Sequence, residues 1–289
     1  MSLSVIIPAF NEENAIADTI KRIQNLGRKE NREIEIIVVN DGSSDTTAEI
    51  ARSSGAKVID HPENGGYGLS IQHGIEVASH SLIGITDADG TYPIEEFPKL
   101  IQMVEVQGFD MAVGARTGSE HKKGLFKYPA RIMFRLLAEY VSGRRIPDIN
   151  SGLRVMKKDK LLMHYERTCL GFSFTTSITL IFMLKGYFVG YTPIPYAKRV
   201  GNSKIRHFRD TLRTAQIMIS VIAHHNPLKL FLLLSMMSTL FSLVCFAIGT
   251  TTTFYLFSVI GSVLIGGVPI ILALGCLAEL FRLSSDKGI

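Results

Sequence analysis

The chain has 289 residues, 46% of them hydrophobic, with a formal net charge of +5 and a mean hydropathy of +0.22. That length holds one sizeable domain and a small extra module. The apolar surplus is concentrated, because the 49 residues from Leu230 to Ala278 carry no Asp, Glu, Lys or Arg. The basic surplus gathers beside them, as Lys198, Arg199, Lys204, Arg206, Arg209, Arg213 and Lys229 against Asp210 alone. This placement suits anionic lipid headgroups and argues against nucleic acid as partner. Three cysteines (Cys169, Cys245, Cys276) are too few for a disulfide framework and read as small packing residues in a reducing compartment. The N-terminus lacks the basic and apolar regions of a signal peptide, so residues 1 to about 225 are expected to stay on the side where they are made.

Short apolar runs alternate with amphipathic stretches through the first 115 residues. Strands are predicted at 3–8, 34–39, 57–59, 82–86 and 111–113. Helices are predicted at 12–25, 45–53, 67–78 and 94–106. The alternation implies an α/β domain with a mostly parallel sheet and helices on both faces, and ligands of such sheets lie at the carboxyl ends of the strands. Further on, 128–141 and 174–185 read as helices, and 153–156 and 189–193 as strands. From His207 to His224, Phe208, Leu212, Ala215, Ile219 and Ile222 share a helical stripe that Arg206, Arg209 and Arg213 avoid. Beside the apolar tail, this reads as a helix lying in a membrane interface; an ordinary surface helix has the same pattern.

Asn226-Pro227 ends that helix. A bilayer-spanning helix needs about 20 residues, so the charge-free tail is predicted to form two spans, 230–249 and 254–277. Thr250–Thr253 form the turn and Pro269 a kink. Lys229, Arg282 and Lys287 flank the outer ends of this hairpin, which puts the sheet domain and the C-terminus on the cytoplasmic side. The organisation is therefore a catalytic domain 1–205, an interfacial helix 206–226, a multi-pass hairpin 227–281 and a cytoplasmic tail 282–289. A two-span anchor leaves homo-oligomers open.

Four turns that end successive strands carry the chemistry. Asp87-Ala88-Asp89 follows the fourth strand. Two carboxylates one residue apart can share a hard cation such as Mg2+ or Mn2+, which also binds diphosphate; the same residues can form an Asx turn with Gly90. Asp41 follows the second strand, where a carboxylate can accept from a base N–H or cap the next helix, although Ser44 or Asp45 could cap it equally well. Pro8-Ala9-Phe10-Asn11-Glu12 follows the first strand. Asn64-Gly65-Gly66-Tyr67-Gly68 follows the third, and glycines before a helix let backbone approach a nucleotide. His224-His225 lack a third ligand nearby and read as headgroup contacts.

Ile6–Glu12, Val38–Asp45 and Asp87–Gly90 resemble the donor-site motifs of family-2 glycosyltransferases with the Rossmann-like GT-A fold. Asn150-Ser151-Gly152-Leu153-Arg154 and Gly201-Asn202-Ser203-Lys204 are similar to the polyprenyl-phosphate branch, meaning dolichyl-phosphate mannosyltransferases and bactoprenol or dolichyl-phosphate glucosyltransferases. The resemblance covers the whole chain, hairpin included.

It implies an inverting, metal-dependent transfer of a hexose from a UDP- or GDP-sugar to a polyprenyl phosphate at the cytoplasmic face of a cell or endoplasmic-reticulum membrane. Such an acceptor is already an anion and needs no strong general base. On this resemblance the catalytic residues are Asp87, Asp89, Arg116 and Arg131. The metal ligands are Asp87 and Asp89. The donor-binding residues are Pro8, Ala9, Asn11, Glu12, Asp41, Gly65, Gly66, Asp87, Ala88, Asp89, Arg154, Arg199 and Lys204. Arg116 and Arg131 would hold the acceptor phosphate or the diphosphate, as arginine forks suit phosphate oxygens. The mannosyltransferase pattern has a Gln where this chain has Thr91, which leans the donor away from GDP-mannose. Rival readings keep the fold and change the acceptor to another lipid or a saccharide, or bind nucleotide-sugars without turnover. The absence of Trp argues against the polymer-extruding synthases, whose motif requires one.

Overall fold

A computed structural model describes residues 2–117, 128–165, 168, 173–197, 207–251 and 255–285, apart from the side chains of 128–131, 207–211, 213–214 and 285. The chain divides into two compact units, Met1–Ile217 and Met218–Ile289.

The first unit is built on seven strands: β1 (Leu3–Ala9), β2 (Ile34–Asn40), β3 (Lys57–Asp60), β4 (Leu82–Ile85), β5 (Met111–Thr117), β6 (Arg154–Lys157) and β7 (Val189–Pro195). Their order is β3-β2-β1-β4-β6-β5-β7. β1 is parallel to β2 and β4, β2 to β3, and β5 to β7, whereas β6 runs against both of its neighbours. The helices are α1 (Ile16–Lys29), α2 (Thr47–Ser53), α3 (Tyr67–Val77), α4 (Phe97–Glu105), α5 (Tyr128–Ser142), α6 (Lys158–Leu162) and α7 (Phe174–Leu184). Leu3, Val5 and Ile7 face one layer, with Ile16, Ile20 and Ile23 of α1 and Phe97 and Leu100 of α4. Ile6 faces the other, with Ile71 and Ile75 of α3 and Phe174, Ile178 and Phe182 of α7. A strand covered on both faces favours a near-continuous apolar run, which is why β1, Ser4 apart, reads as one and not as an alternation.

Several elements differ from the sequence reading. α1 begins at Ile16 and not at Glu12, because the preceding residues are tied to the loop after β2: Glu12 N–H donates to Thr47 Oγ1 (2.8 Å) and Glu13 N–H to Asp45 Oδ2 (3.4 Å). The helix expected over 94–106 opens with a 3-10 turn, Ile94–Glu96, before α4. The short α6 was not anticipated, since five residues carry too little periodicity to read.

One half-buried carboxylate, Glu35, ties the amino edge of the sheet together. Glu35 accepts Ser4 Oγ–H (2.5 Å), Ser79 N–H (2.8 Å) and Ser79 Oγ–H (3.0 Å), with Lys57 at 3.7 Å. Burial pushes its pKa up, but the Ser4 and Ser79 hydrogen bonds and Lys57 outweigh that and leave it below the usual glutamate range.

α8 (His207–His225) spans the boundary between the units. On it Leu212 and Ile219 are exposed, whereas Met218, Val221 and Ile222 are buried. The predicted stripe is therefore divided, with Ile222 turned inward and Leu212 and Ile219 outward.

The second unit holds α9 (Pro227–Thr251) and α10 (Tyr255–Ser285). Pro227 opens α9, where its missing N–H costs nothing. Both helices are long and apolar enough to cross a bilayer, each with a mean hydropathy of 2.3 over its most apolar stretch. They form a candidate transmembrane hairpin. Ser242 Oγ–H donates to Gly261 O (2.7 Å) and Ser238 Oγ–H to Leu264 O (3.2 Å) across it, satisfying hydroxyls that lipid could not. Leu240, Phe241, Val263 and Phe281 lie on its exposed surface. α9 runs past the predicted end at Gly249, and α10 extends beyond Leu277 and continues through Pro269. The predicted turn falls in part on 252–254, outside the described residues.

Replacing Glu35 by Ala leaves the O–H of the fully buried Ser4 without its acceptor, with His80 N–H (3.1 Å) as the remaining partner of Oγ, and should cost about 1–3 kcal/mol. Because the folded-state pKa of Glu35 is depressed, its contribution is present at neutral pH and fades as pH falls through that depressed value. Urea unfolding followed by tyrosine fluorescence should therefore show a gap between wild type and Glu35→Ala at pH 7 that narrows in acid.

Candidate active site

β1, β2, β3 and β4 are parallel, so the turns that follow them share one edge of the sheet. β6 begins at that edge, because Arg154 pairs with Ile85 at the end of β4 and with Val113 in β5. β5 therefore delivers Arg116 to the same edge, together with the 148–153 loop that precedes β6.

The first two turns are knit to each other. Asp41 N–H donates to Ala9 O (2.8 Å). Asn11, with φ of 53°, donates its N–H to Ser43 Oγ (2.9 Å) and accepts Ser44 N–H at Oδ1 (2.7 Å). Pro8 and Ala9 are buried in β1, and Glu12 follows in the turn. Asp41 does not cap α2. Its Oδ1 accepts Gly65 N–H (2.9 Å), its Oδ2 accepts Gly66 N–H (2.9 Å), and His61 Nδ1 lies 2.7 Å from Oδ1. Asp45 serves the start of α2 instead, accepting Thr47 N–H at 3.1 Å.

Asp87 and Asp89 follow β4, with Ala88 between them buried and its carbonyl accepting Thr19 Oγ1–H (3.3 Å). Asp87 Oδ1 accepts the Tyr67 hydroxyl (3.1 Å) from the first turn of α3. Burial, reinforced by the Asp87 charge, pushes the Tyr67 pKa well up, so the hydroxyl stays protonated and donates. Asp89 Oδ1 accepts both Thr91 N–H (3.1 Å) and Thr91 Oγ1–H (2.6 Å). This turn is an Asx turn, and it puts two carboxylates at the strand end. Gly152 packs directly on Asp87, since a Cβ there would lie 2.8 Å from Asp87 Oδ1. Its N–H donates to Tyr92 Oη (2.7 Å). Burial pushes the Tyr92 pKa up.

Arg116 donates from Nε (2.7 Å) and Nη2 (2.9 Å) to the two oxygens of Asp148, and its guanidinium lies 5.3 Å from the centre of the Tyr196 ring. Burial opposes its charge, but Tyr92 and the Asp148 bond outweigh that and raise its pKa. The expected phosphate-binding cation is thus one half of a buried ion pair. Ala197 N–H donates to Thr91 O (3.1 Å), which brings the end of β7 to the acidic turn.

Arg154 requires a correction. It was expected at the donor, yet it is fully buried and donates to Ser151 O (2.5 and 3.1 Å), Thr175 O (3.3 Å) and Thr179 Oγ1 (3.1 Å). The reason is its place at the start of an interior strand, where the guanidinium can be satisfied only by carbonyls and hydroxyls of the 148–153 loop and α7. It braces the loop that carries Gly152. The side chain of Arg131 and all of Arg199 and Lys204 lie outside the described residues. The sequence reading did not single out Tyr92, Asp148, Tyr196 or His61. Tyr92 and Asp148 lie beside motifs already noted, whereas Tyr196 and His61 carried no signal.

A divalent cation would suit the acidic turn. Among the described residues no group of three or more His, Cys, Asp and Glu could hold a metal ion, and two carboxylates are what a cation completed by diphosphate and water requires.

The model described as Glycosyl transferase family 2 matches residues 4–174. The chain belongs to glycosyltransferase family 2, and it is a glycosyltransferase. It is 31% identical to a dolichyl-phosphate hexose transferase of Haloferax volcanii, over 71% of this chain and 87% of that one. It is 28% identical to an undecaprenyl-phosphate 4-deoxy-4-formamido-L-arabinose transferase of Pseudomonas fluorescens, over 72% of this chain and 61% of that one. Among solved structures, glucosyl-3-phosphoglycerate synthase from Mycobacterium tuberculosis with Mn2+ and UDP superposes with a TM-score of 0.61 at 18% identity, covering 76% of this chain and 79% of that one. This likeness establishes the GT-A-like fold.

In this glycosyltransferase the Gly152 contact is a sharp test of the site. Gly152→Ala should push Asp87 aside and lower kcat by about 100-fold, the scale of an ångström-sized misplacement. Thermal unfolding should shift little, since the adjoining core is unchanged.

Proposed function

We propose that this enzyme transfers a hexose from a UDP- or GDP-sugar to a polyprenyl phosphate at the cytoplasmic face of a membrane, inverting the anomeric centre. The observation that carries the proposal is the pair Asp87 and Asp89 at the carboxyl end of β4, with Gly152 and Tyr67 against it. The relatives named as dolichyl-phosphate and undecaprenyl-phosphate transferases and the apolar hairpin support a lipid phosphate acceptor. In this reading Asp87 and Asp89 hold a Mg2+ or Mn2+ ion, which supplies positive charge against the departing nucleoside diphosphate.

The remaining roles belong to the chain. The turns after β1, β2 and β3, with Pro8, Ala9, Asn11, Glu12, Asp41, Gly65 and Gly66, shape the nucleotide side. Tyr67 orients Asp87 through its hydroxyl. An oxygen of the lipid phosphate attacks the anomeric carbon as the bond from that carbon to the diphosphate oxygen breaks. The nucleophile is already anionic, so no side chain removes a proton. Arg131 and the edge of Arg116 that Asp148 does not use offset the phosphate charge, and Arg199 and Lys204 close on the donor. α8 rests in the interface with Leu212 and Ile219 toward lipid, and the hairpin anchors the chain in the membrane.

Purified enzyme with Mg2+ or Mn2+, a short polyprenyl phosphate and a set of UDP- and GDP-sugars, followed by mass spectrometry, should yield one glycosyl polyprenyl phosphate. Glycosylation of a diacylglycerol or saccharide acceptor instead would replace the acceptor assignment. Asp89→Ala and chelation by EDTA should each abolish turnover without loss of membrane insertion; near-normal activity in either would remove the metal. Arg131→Ala should raise KM for the lipid phosphate more than KM for the nucleotide-sugar, and equal effects on both would reject its role.

A further inference from the structure

Behind the glycine turn lies a row of three side chains that the transfer chemistry does not use as a whole. Asp41 is buried and accepts Gly65 N–H, Gly66 N–H and His61 Nδ1. His61, also buried, places Nε2 at 2.8 Å from Nδ1 of His73 on α3, and the two rings meet edge-on with centroids 4.9 Å apart. The proton directions follow from what each group can do. A carboxylate receiving two backbone N–H groups only accepts, so His61 Nδ1 donates to it. A neutral His61 then carries a lone pair on Nε2, and His73 must donate from Nδ1. The opposite tautomer of His61 would turn a lone pair on the carboxylate.

The turn these residues hold is tightly constrained. Gly66 has φ of 100° and precedes the first residue of α3. A Cβ on Gly42 would lie 2.6 Å from the carbonyl carbon of Glu63, so the loops after β2 and β3 touch through backbone. α3 also carries Tyr67, whose hydroxyl reaches Asp87. One helix therefore fixes His61 through His73 and the acidic pair through Tyr67.

We propose that His73 and His61 are positioning residues for the donor: the His73 Nδ1–H holds the His61 ring in place, and His61 holds Asp41 where it fixes the Gly65–Gly66 turn beside the nucleotide. The proposal rests on the donor-site reading above. An apolar residue at 73 would fill the space without supplying the N–H, which separates positioning from packing.

The test uses the full chain in detergent with 15N-labelled histidine and glycine, and UDP and GDP with Mn2+ as probes. In the wild type His61 should show a protonated Nδ1. In His73→Phe the His61 Nε2 resonance should shift as it loses its partner while Nδ1 stays protonated, the Gly65 and Gly66 amides should shift, and the affinity for the preferred nucleotide should fall about tenfold, the equivalent of one lost hydrogen bond. KM for the lipid phosphate should stay as it is. His73→Gln, which offers an N–H donor, should recover most of the affinity and also controls for misfolding. Unchanged Gly65 and Gly66 amides in His73→Phe, or equal affinity losses in His73→Phe and His73→Gln, would overturn the proposal. Shifted Gly65 and Gly66 amides in His73→Phe with no binding of UDP or GDP by the wild type would overturn the donor-site reading and leave the positioning role standing.

Discussion

Carboxylates at the end of a buried strand are costly unless something holds their charge, and this constraint organises the candidate site. Asp87 and Asp89 follow β4, a strand covered on both faces. The protein meets part of their demand with hydroxyls and amides: Tyr67 on Asp87, Thr91 on Asp89. The backbone at Gly152 closes the space beside Asp87.

The other charges obey the same rule with different solutions. Arg116 is paired with Asp148 and covered by Tyr196, which holds it at the edge without leaving an isolated buried cation. Asp41 is satisfied by two amides and an imidazole. Arg154 is satisfied by carbonyls and a hydroxyl. Each rigidifies a loop around the acidic turn.

Much of this was legible in the sequence, for identifiable reasons. β1 and β2 are dense runs of Val and Ile, the turns after them hold Asn, Asp, Gly and Ser, and the charge-free tail is too long for a single span. The direction of β6 was not legible, because antiparallel insertion between β4 and β5 depends on long-range pairing of Arg154 with both Ile85 and Val113. The burial of Arg154 was missed for the same reason, since arginine near a motif looks like an anion ligand until its strand is placed. His61 and His73 are twelve positions apart, and no local pattern relates them. Asp148 gave no sign that it would claim Arg116 across the sheet edge.

The central claim is that Asp87 and Asp89 together hold a divalent cation against the diphosphate of the donor. Its most direct test is a crystal structure of the enzyme soaked with Mn2+ and a nucleoside diphosphate, with data collected near the manganese edge. The account predicts one anomalous peak within bonding distance of both carboxylates and of the diphosphate oxygens. A nucleotide bound with no peak at that turn, or with the metal on other residues, would contradict it.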